Sequence, residues 1–309
     1  MSTPLVYINI LTWNGQRWIE KCLDSVFATD YPNYKVVVVD NNSKDNTINI
    51  IEKGYPNVIL IRNKKNLGFA EGHNIGIRYV LRQKAEYIVL LNQDVIVDSL
   101  WLNELVKVAK NHKEFAILTP FQYEYESNNT ETHFLSTMLE YSKDFRDDYE
   151  RGIELKNVYE YTGSFGAAIF VEKEVFLKVG LLDPFYFVYC EEADFFRRCL
   201  YLGYRMASVT SSKIKHWHMH LRPTEMSLRT KFFSYRNSFI FKLKDPQNSF
   251  LRNIKISFSY AIKMVSKNIN SFKGLIKVFM IIYIQFLLII ILPYIYYKRY
   301  WEKRKACYL

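Results

Sequence analysis

Residues 34–47 read YKVVVVDNNSKDNT. From Tyr34 to Val39 the run is β-branched with no polar alternation, the pattern of a strand buried on both faces. It stops at Asp40, and a polar turn follows. Asp45 stands where a helix N-cap belongs, ahead of a helix over Thr47–Lys53. The same unit recurs on either side. Val6–Leu11 is an apolar strand before Arg17–Ala28, where Ile19, Leu23, Val26 and Phe27 keep helical spacing. Val58–Arg62 reads as a third strand, Gly72–Gln83 as a helix, and Tyr87–Leu91 as a fourth strand ending in Asn92-Gln93-Asp94. Strands alternating with helices predict an α/β domain with a mostly parallel sheet. Polar residues gather where the strands end: Thr12 and Asn14, Asp40 to Ser43, Asn63 and Asn66, Asn92 to Asp94. Ligands of open α/β sheets bind outside the carboxyl ends of the strands, so four clusters on one rim describe one site. The glycine signatures of dinucleotide and P-loop folds are missing, which counts against both.

The chain has 309 residues, 49% hydrophobic and 24% charged, enough for a substantial core and unlike a disordered chain. With Gly at 11 and Pro at 8, collagen-like and low-complexity classes are excluded. The cysteines at 22, 190, 199 and 307 include no C-x-x-C pair, which argues against a zinc ribbon or a disulfide scaffold and fits a reducing compartment. The net charge of +11 is unevenly placed. Residues 1–200 hold 22 Lys and Arg against 28 Asp and Glu, whereas residues 201–309 hold 20 against 3. An acidic body argues against a nucleic-acid partner; a basic end is expected to meet an anionic surface.

Met1–Pro4 is short and uncharged and Leu5–Leu11 is too brief for a secretory signal. Val278–Tyr297, VFMIIYIQFLLIIILPYIYY, carries no charge and is long enough to cross a bilayer. Lys273 and Lys277 precede it; Lys298, Arg299, Lys303, Arg304 and Lys305 follow. A buried core helix is the plain alternative. Gln285 and Pro293 weigh against spanning, and the tyrosines suit the interface, so crossing the membrane and lying on it both stay open. Upstream, Phe258, Ile262, Val265, Ile269 and Phe272 recur at helical spacing among Arg252, Lys255, Lys263, Lys267 and Lys273. That is a basic amphipathic helix, either a membrane-surface element or a helix packed on the domain.

Five groups carry chemistry. Asp40 closes an apolar strand, either as an acceptor for a base or ribose or as a cap for its own turn. Asn66-Leu67-Gly68 leads through Glu71-Gly72-His73-Asn74 into a helix whose N-terminus suits a diphosphate. Asn92-Gln93-Asp94 offers oxygen ligands and a carboxylate to a hard divalent cation, Mg²⁺ or Mn²⁺. Glu191-Glu192-Ala193-Asp194 packs three carboxylates into four residues, which raises their pKa values toward a base working near neutrality. Helix-terminal charge is the plainer account of that cluster. His216-Trp217-His218-Met219-His220 follows the strand Met206–Val209, and one of its histidines is placed to share a metal with Asp94; the alternative is an exposed basic loop.

In this order the pieces resemble the family-2 glycosyltransferases with the GT-A fold, and within them the rhamnosyltransferase-like branch. The resemblance spans about residues 4–243. It is carried by VYINILTWN at 6–14, VVVDNNSKDNT at 37–47, NLGFAEGHNIGI at 66–77, YIVLLNQDV at 87–95, TGSFGAAIFVEKEVFLKVGLLD at 162–183, FYFVYCEEADFFRR at 185–198, KIKHWH at 213–218 and FFSYRNSFIF at 232–241. It implies a GT-A (Rossmann-like) α/β fold, mostly parallel in a mixed sheet with flanking helices, over residues 1–245. The nucleotide-sugar half is about 1–100 and the acceptor half about 101–245; 246–309 are then the membrane-associated C-terminal helices. It implies that Thr12, Asn14, Asp40, Asn42, Asn66, Gly68, Asn74, Asn92 and Gln93 meet the nucleotide sugar. Asp94 and His216 are then metal ligands, Glu192 with Glu191 supplies the base, and Gly163, Ser164 and Asp194 lie on the acceptor side. Two departures stand out. Asn92 and Gln93 replace the Asp and Pro frequent in the branch, implying weaker metal binding, and Glu192 replaces a common Asp, implying a deeper acceptor.

The implied reaction is inverting, metal-dependent transfer of a sugar, rhamnose in this branch, from a dTDP or UDP type nucleoside-diphosphate sugar. The acceptor is a hydroxyl of a glycan or polyprenyl-diphosphate-linked saccharide in cell-surface polysaccharide synthesis. The enzyme would work at the cytoplasmic face of the membrane, as a monomer or an oligomer. Two alternatives are a nucleotidyltransferase, for which TWNGQRW offers only Gly15 and Arg17 as phosphate contacts, and a membrane-anchored nucleotide-sugar-binding protein without turnover.

Overall fold

The computed structural model describes residues 3–217, 227–267, 272–304 and 306–309. His218, His220, Ile269 and Lys305 lie outside the described residues, as do the side chains of Phe272 and Lys273. The chain runs β1 (Val6–Thr12), α1 (Ile19–Phe27), β2 (Tyr34–Asp40), α2 (Thr47–Gly54), β3 (Ile59–Arg62), α3 (Gly68–Leu81), β4 (Tyr87–Asn92), β5 (Val95–Val97) and α4 (Trp101–Asn111). It continues with β6 (Phe115–Glu124), α5 (Thr132–Tyr141), α6 (Lys143–Glu150), β7 (Val158–Glu160), β8 (Ala168–Glu172), α7 (Lys173–Val179), a 3₁₀ turn at Pro184–Tyr186, α8 (Glu191–Tyr201) and β9 (Arg205–His216). Three helices close it: α9 (Leu228–Leu243), α10 (Phe250–Ser266) and α11 (Phe272–Glu302).

One mixed sheet has the order β3-β2-β1-β4-β8-β6-β9-β5, with β7 also on β9. The β3-β2-β1-β4 half is parallel, as the sequence predicts. The antiparallel strand β8 then joins β4 to β6. Register gathers the polar strand ends: Thr12 lies opposite Asp40, Leu11 opposite Asn92, and Asp40 opposite Arg62. The valines of β2 confirm burial on both faces. Val36 and Val38 pack with α1 residues Leu23 and Val26, whereas Val37 and Val39 join Ile77 and Val80 of α3 on the other face. The N-cap of α2 is Asn46 and not the expected Asp45, which sits one residue earlier and accepts from the amide and hydroxyl of Thr47.

A third core joins Tyr186 to Phe239 and Ile240 of α9 and to Ile281, Ile284 and Leu288 of α11. Beside it lies a buried ionic knot. The Lys244 ammonium is 2.7 Å from Asp183, 3.0 Å from Asp194 and 2.6 Å from Glu302. Lys298 pairs with Asp183, and Arg198 with Asp194. The expected boundary at residue 245 therefore cuts through a buried network instead of separating two packing units. Burial alone would lower the Lys244 pKa, but the three carboxylates outweigh it and hold the lysine charged. We predict that Lys244→Met, which strands these acids, lowers stability by about 3–5 kcal/mol. Thermal melting checks this; an unchanged melting temperature would show the knot to be idle.

Candidate active site

The parallel strand ends open into a cleft of about 570 Å³. Trp13, Asn41, Asn66, Gly68, Asn92, Gln93 and Asp94 line its sheet side. Phe187, Val188 and Tyr189 line the facing loop, and Arg229, Thr230 and Phe233 the start of α9.

On the sheet side, side chains shape the loops. Gln93 Oε1 accepts from the Thr12 hydroxyl at 2.6 Å and from the Trp13 amide at 3.1 Å, tying β1 to β4. A Cβ at Gly15 would meet that same oxygen at 2.2 Å, so a side chain there would push the Gln93 amide off Thr12. Asn14 and Asn42, both at positive φ, brace the 40–44 turn: Asn14 accepts from the Lys44 amide and Asn42 from the Lys44 ammonium. Asp40 is nearly buried, with its carboxylate accepting from the amides of Asn42 and Ser43. It caps its own turn and is not among the residues lining the cleft. Asn41, which sequence reading passed over, is the hub. It donates to Asn66 Oδ1 and the Gly68 carbonyl and accepts from Asn63 and the Leu67 amide. Gly68 has φ +82°, and a Cβ there would sit 2.4 Å from the Phe187 carbonyl.

Two expectations are overturned. Asn74 is fully buried and exchanges two hydrogen bonds with the Leu182 backbone, so its amide is spent on the fold and not on a nucleotide sugar. Asp194 is equally buried. It accepts from Tyr186, Arg197 and Arg198 and pairs with Lys244, so it faces the ionic knot and not an acceptor. Burial would raise its pKa, but Lys244 and the two arginines hold it far below the usual range. Gly163 packs on Thr137 and Tyr141, a structural contact. Ser164 is half-buried in the same loop.

Asp94 is different. Its Oδ1 is buried with no hydrogen bond, and burial raises its pKa to about 6. His216 Nε2 stands 3.6 Å from that oxygen, held there because β9 pairs with β5 and the Trp217 amide donates to the Asp94 carbonyl. The gap is too wide for a hydrogen bond, yet one ion at metal–ligand distances of about 2.0–2.2 Å reaches both atoms. Asp94 and His216 fit a divalent cation; Asn92 Oδ1, from the same strand end, is also buried without a hydrogen bond. Asp183, Asp194 and Glu302 form the other acidic group, within 4.8 Å of one another, but the Lys244 ammonium already fills its centre.

Glu191 and Glu192 open α8. Glu191 is buried with Oε2 unpaired, and burial, then Glu192, pushes its pKa well up. Glu192 is half-buried, with its pKa raised by burial. Its carboxylate lies against Gly166, where a Cβ would come within 2.2 Å of Oε1. The next residue, Ala167, accepts from the Asn92 amide at 3.0 Å. One loop therefore links the acidic pair to the Asn92-Gln93-Asp94 strand end. The segment before α8 is strained, with Phe187, Tyr189 and Cys190 all at positive φ. Asn237 of α9 clamps it by donating to the carbonyls of Tyr186, Val188 and Tyr189. Gly166, Asn237 and Arg229 were missed as site residues, although Gly166 and Asn237 stand in stretches that carry the resemblance. Gly166→Ala is expected to displace the Glu192 carboxylate and cut turnover at least tenfold, about 1.4 kcal/mol in barrier. Steady-state rates at saturating donor check this; full activity would place Glu192 outside the reaction.

The family model described as Glycosyl transferase family 2 matches residues 7–172. An uncharacterized glycosyltransferase of Haemophilus influenzae is 27% identical over 108 residues, which cover 34% of this chain and 32% of the relative. Rhamnosyltransferase WbbL of Escherichia coli K12 is 27% identical over 229 residues, 70% of this chain and 84% of the relative. The chain therefore spans about a third of the length of the first relative and most of the second. Among solved structures, the mannosyltransferase PcManGT of Pyrobaculum calidifontis, in complex with GDP-Man and Mn²⁺, superposes with a TM-score of 0.58. Its identity is 14%, with 92% of this chain and 86% of that one covered.

Proposed function

The chain belongs to glycosyl transferase family 2 and has the GT-A fold, and on that footing we propose that it is an inverting sugar transferase acting at the cytoplasmic face of a membrane. The donor is a dTDP or UDP type nucleoside-diphosphate sugar, with rhamnose favoured by the likeness to WbbL. The acceptor is a hydroxyl of a lipid-linked saccharide, as in cell-surface polysaccharide synthesis. One observation carries the reading: the unpaired Asp94 oxygen facing His216, on the same strand end that the loop touching Glu192 reaches.

The chain's own residues divide the work. Asn41, Asn66 and Gly68 fix the loop that would pass the diphosphate. Asp94 and His216 would hold a divalent cation, which supplies neutralisation of the charge developing on the leaving diphosphate. Arg229, the only cationic side chain among the described cleft-lining residues, adds charge from α9. Glu192 takes the proton from the acceptor hydroxyl, and burial raises its pKa, which makes it a stronger base than an exposed carboxylate. Attack from the face opposite the leaving group inverts the anomeric centre in a single displacement. NMR of the product tests this: the anomer opposite to that of the donor is expected, and a retained anomer would refute single displacement.

A further inference from the structure

We infer that α10 and α11 lie flat in one leaflet of an anionic bilayer instead of crossing it, which sets the cleft beside that leaflet. The inference rests on the reading of a membrane-held enzyme given above.

By length and composition α11 qualifies as a span: residues Gly274–Glu302 form a helix long and apolar enough to cross a bilayer. Its packing points elsewhere. One apolar stripe, with Ile281, Ile284, Leu288 and Ile295, is buried in the core shared with α9 and α10. A second stripe at spacings of three and four, Phe279, Ile282, Phe286, Ile289 and Ile290, is 55–68% exposed. On α10, Phe258 and Ile262 extend that bare surface at 53% and 59% exposure.

Crossing would carry the inner stripe into hydrocarbon together with its partner α9, which bears Arg229, Lys231, Arg236 and Lys242, or strip α11 away from it. The far end of α11 is also pinned to the body. Lys298 pairs with Asp183, Glu302 with Lys244, and the Cys307 carbonyl accepts from the Leu181 amide at 2.8 Å. Charge identifies what covers the bare stripe. Residues 246–309 carry eleven Lys and Arg and one acid, Glu302, which is buried and paired. On α10, exposed Lys255 lies about 20–60° round the helix from Phe258 and Ile262, whereas Lys263, and Lys267 just past the helix end, lie about 100–180° away. Exposed Tyr283, Tyr294, Tyr296 and Tyr297 add rings suited to the headgroup level. An apolar stripe with Lys255 and tyrosines beside it, on a segment with this basic excess, fits anionic lipid. The face is also continuous with the cleft. Phe233 lines the cleft, and its neighbour Phe232 lies against Tyr283 with ring centroids 6.4 Å apart.

The test uses the full chain carrying either Lys267→Cys or Leu309→Cys, one beyond each end of α11, in sealed, inverted membrane vesicles from expressing cells, with a membrane-impermeant maleimide located by peptide mass. Equal labelling with and without detergent is expected at both sites, because both ends of α11 stay on the outer, cytoplasmic face. Protection of either site that only detergent relieves would mean that α11 crosses and would overturn the inference. A second variant, Phe286→Asp with Ile289→Asp, is floated on phosphatidylcholine–phosphatidylglycerol vesicles. A partition coefficient at least tenfold lower is expected, with the melting temperature kept. Unchanged flotation would overturn the inference, as would a wild-type dimer that this variant splits without altering flotation. Wild-type protein that does not float would end the membrane reading too, while donor turnover in solution would still judge sugar transfer by itself.

Discussion

Asp94→Ala is expected to abolish transfer while leaving the melting temperature almost unchanged. Its Oδ1 is buried and makes no hydrogen bond, and burial raises its pKa to about 6. A carboxylate held by no hydrogen bond at that oxygen, partly exposed and with His216 only as near as 3.6 Å, adds little to the fold. It does supply the one carboxylate of the Asn92-Gln93-Asp94 strand end. Loss of an ion that steadies the leaving diphosphate removes several kcal/mol of barrier lowering, so turnover should fall by on the order of 10³-fold or more. Excess chelator should inactivate the native protein to the same extent and add nothing to the variant. Undiminished transfer in chelator would remove the metal from the reaction.

Glu192→Gln should cost on the order of 10²–10⁴ in turnover, the range for a positioned general base, with donor affinity kept. The substitution keeps shape and volume beside Gly166 and removes only proton acceptance. Glu191→Gln is the comparison. Glu191 is the more buried of the two and carries the unpaired oxygen. If it proves dead while Glu192→Gln turns over, the pair stands and the roles exchange. Two active variants would reduce the pair to helix-terminal charge.

The parallel half of the sheet was legible because its signals are local. Four β-branched runs end in polar turns, and the alternation of Val36 to Val39 between two cores follows from pleat geometry. The antiparallel half was not. β8 and β9 find their partners β4 and β6 across tens of residues, and neither run announces its neighbour. The acidic cluster shows a signal that was present and passed over. Asp194 and Arg198 stand at i, i+4 on α8, the spacing of an intrahelical ion pair, which takes Asp194 out of the cluster around Glu192. Asn74 had no such clue, since its partner Leu182 lies 108 residues away. Likewise the composition of α11 reads the same on a lipid or a protein neighbour. Only its second stripe and the pairing of Glu302 separate the cases. Asp94 and His216 were legible as a pair because the motif and the resemblance agreed, and β9 brings them within 3.6 Å.

What matters most is whether this cleft binds a nucleotide sugar and passes its sugar to an acceptor. The most direct measurement incubates purified full-length protein with a panel of nucleoside-diphosphate sugars, Mn²⁺ or Mg²⁺ and a lipid-linked or short soluble saccharide, and reads product mass and nucleoside-diphosphate release together. One donor should be consumed, the acceptor should gain one sugar, and both signals should vanish with Asp94→Ala. Nucleoside-diphosphate release and product that persist unchanged in Asp94→Ala would contradict the account and place the reaction outside this cleft.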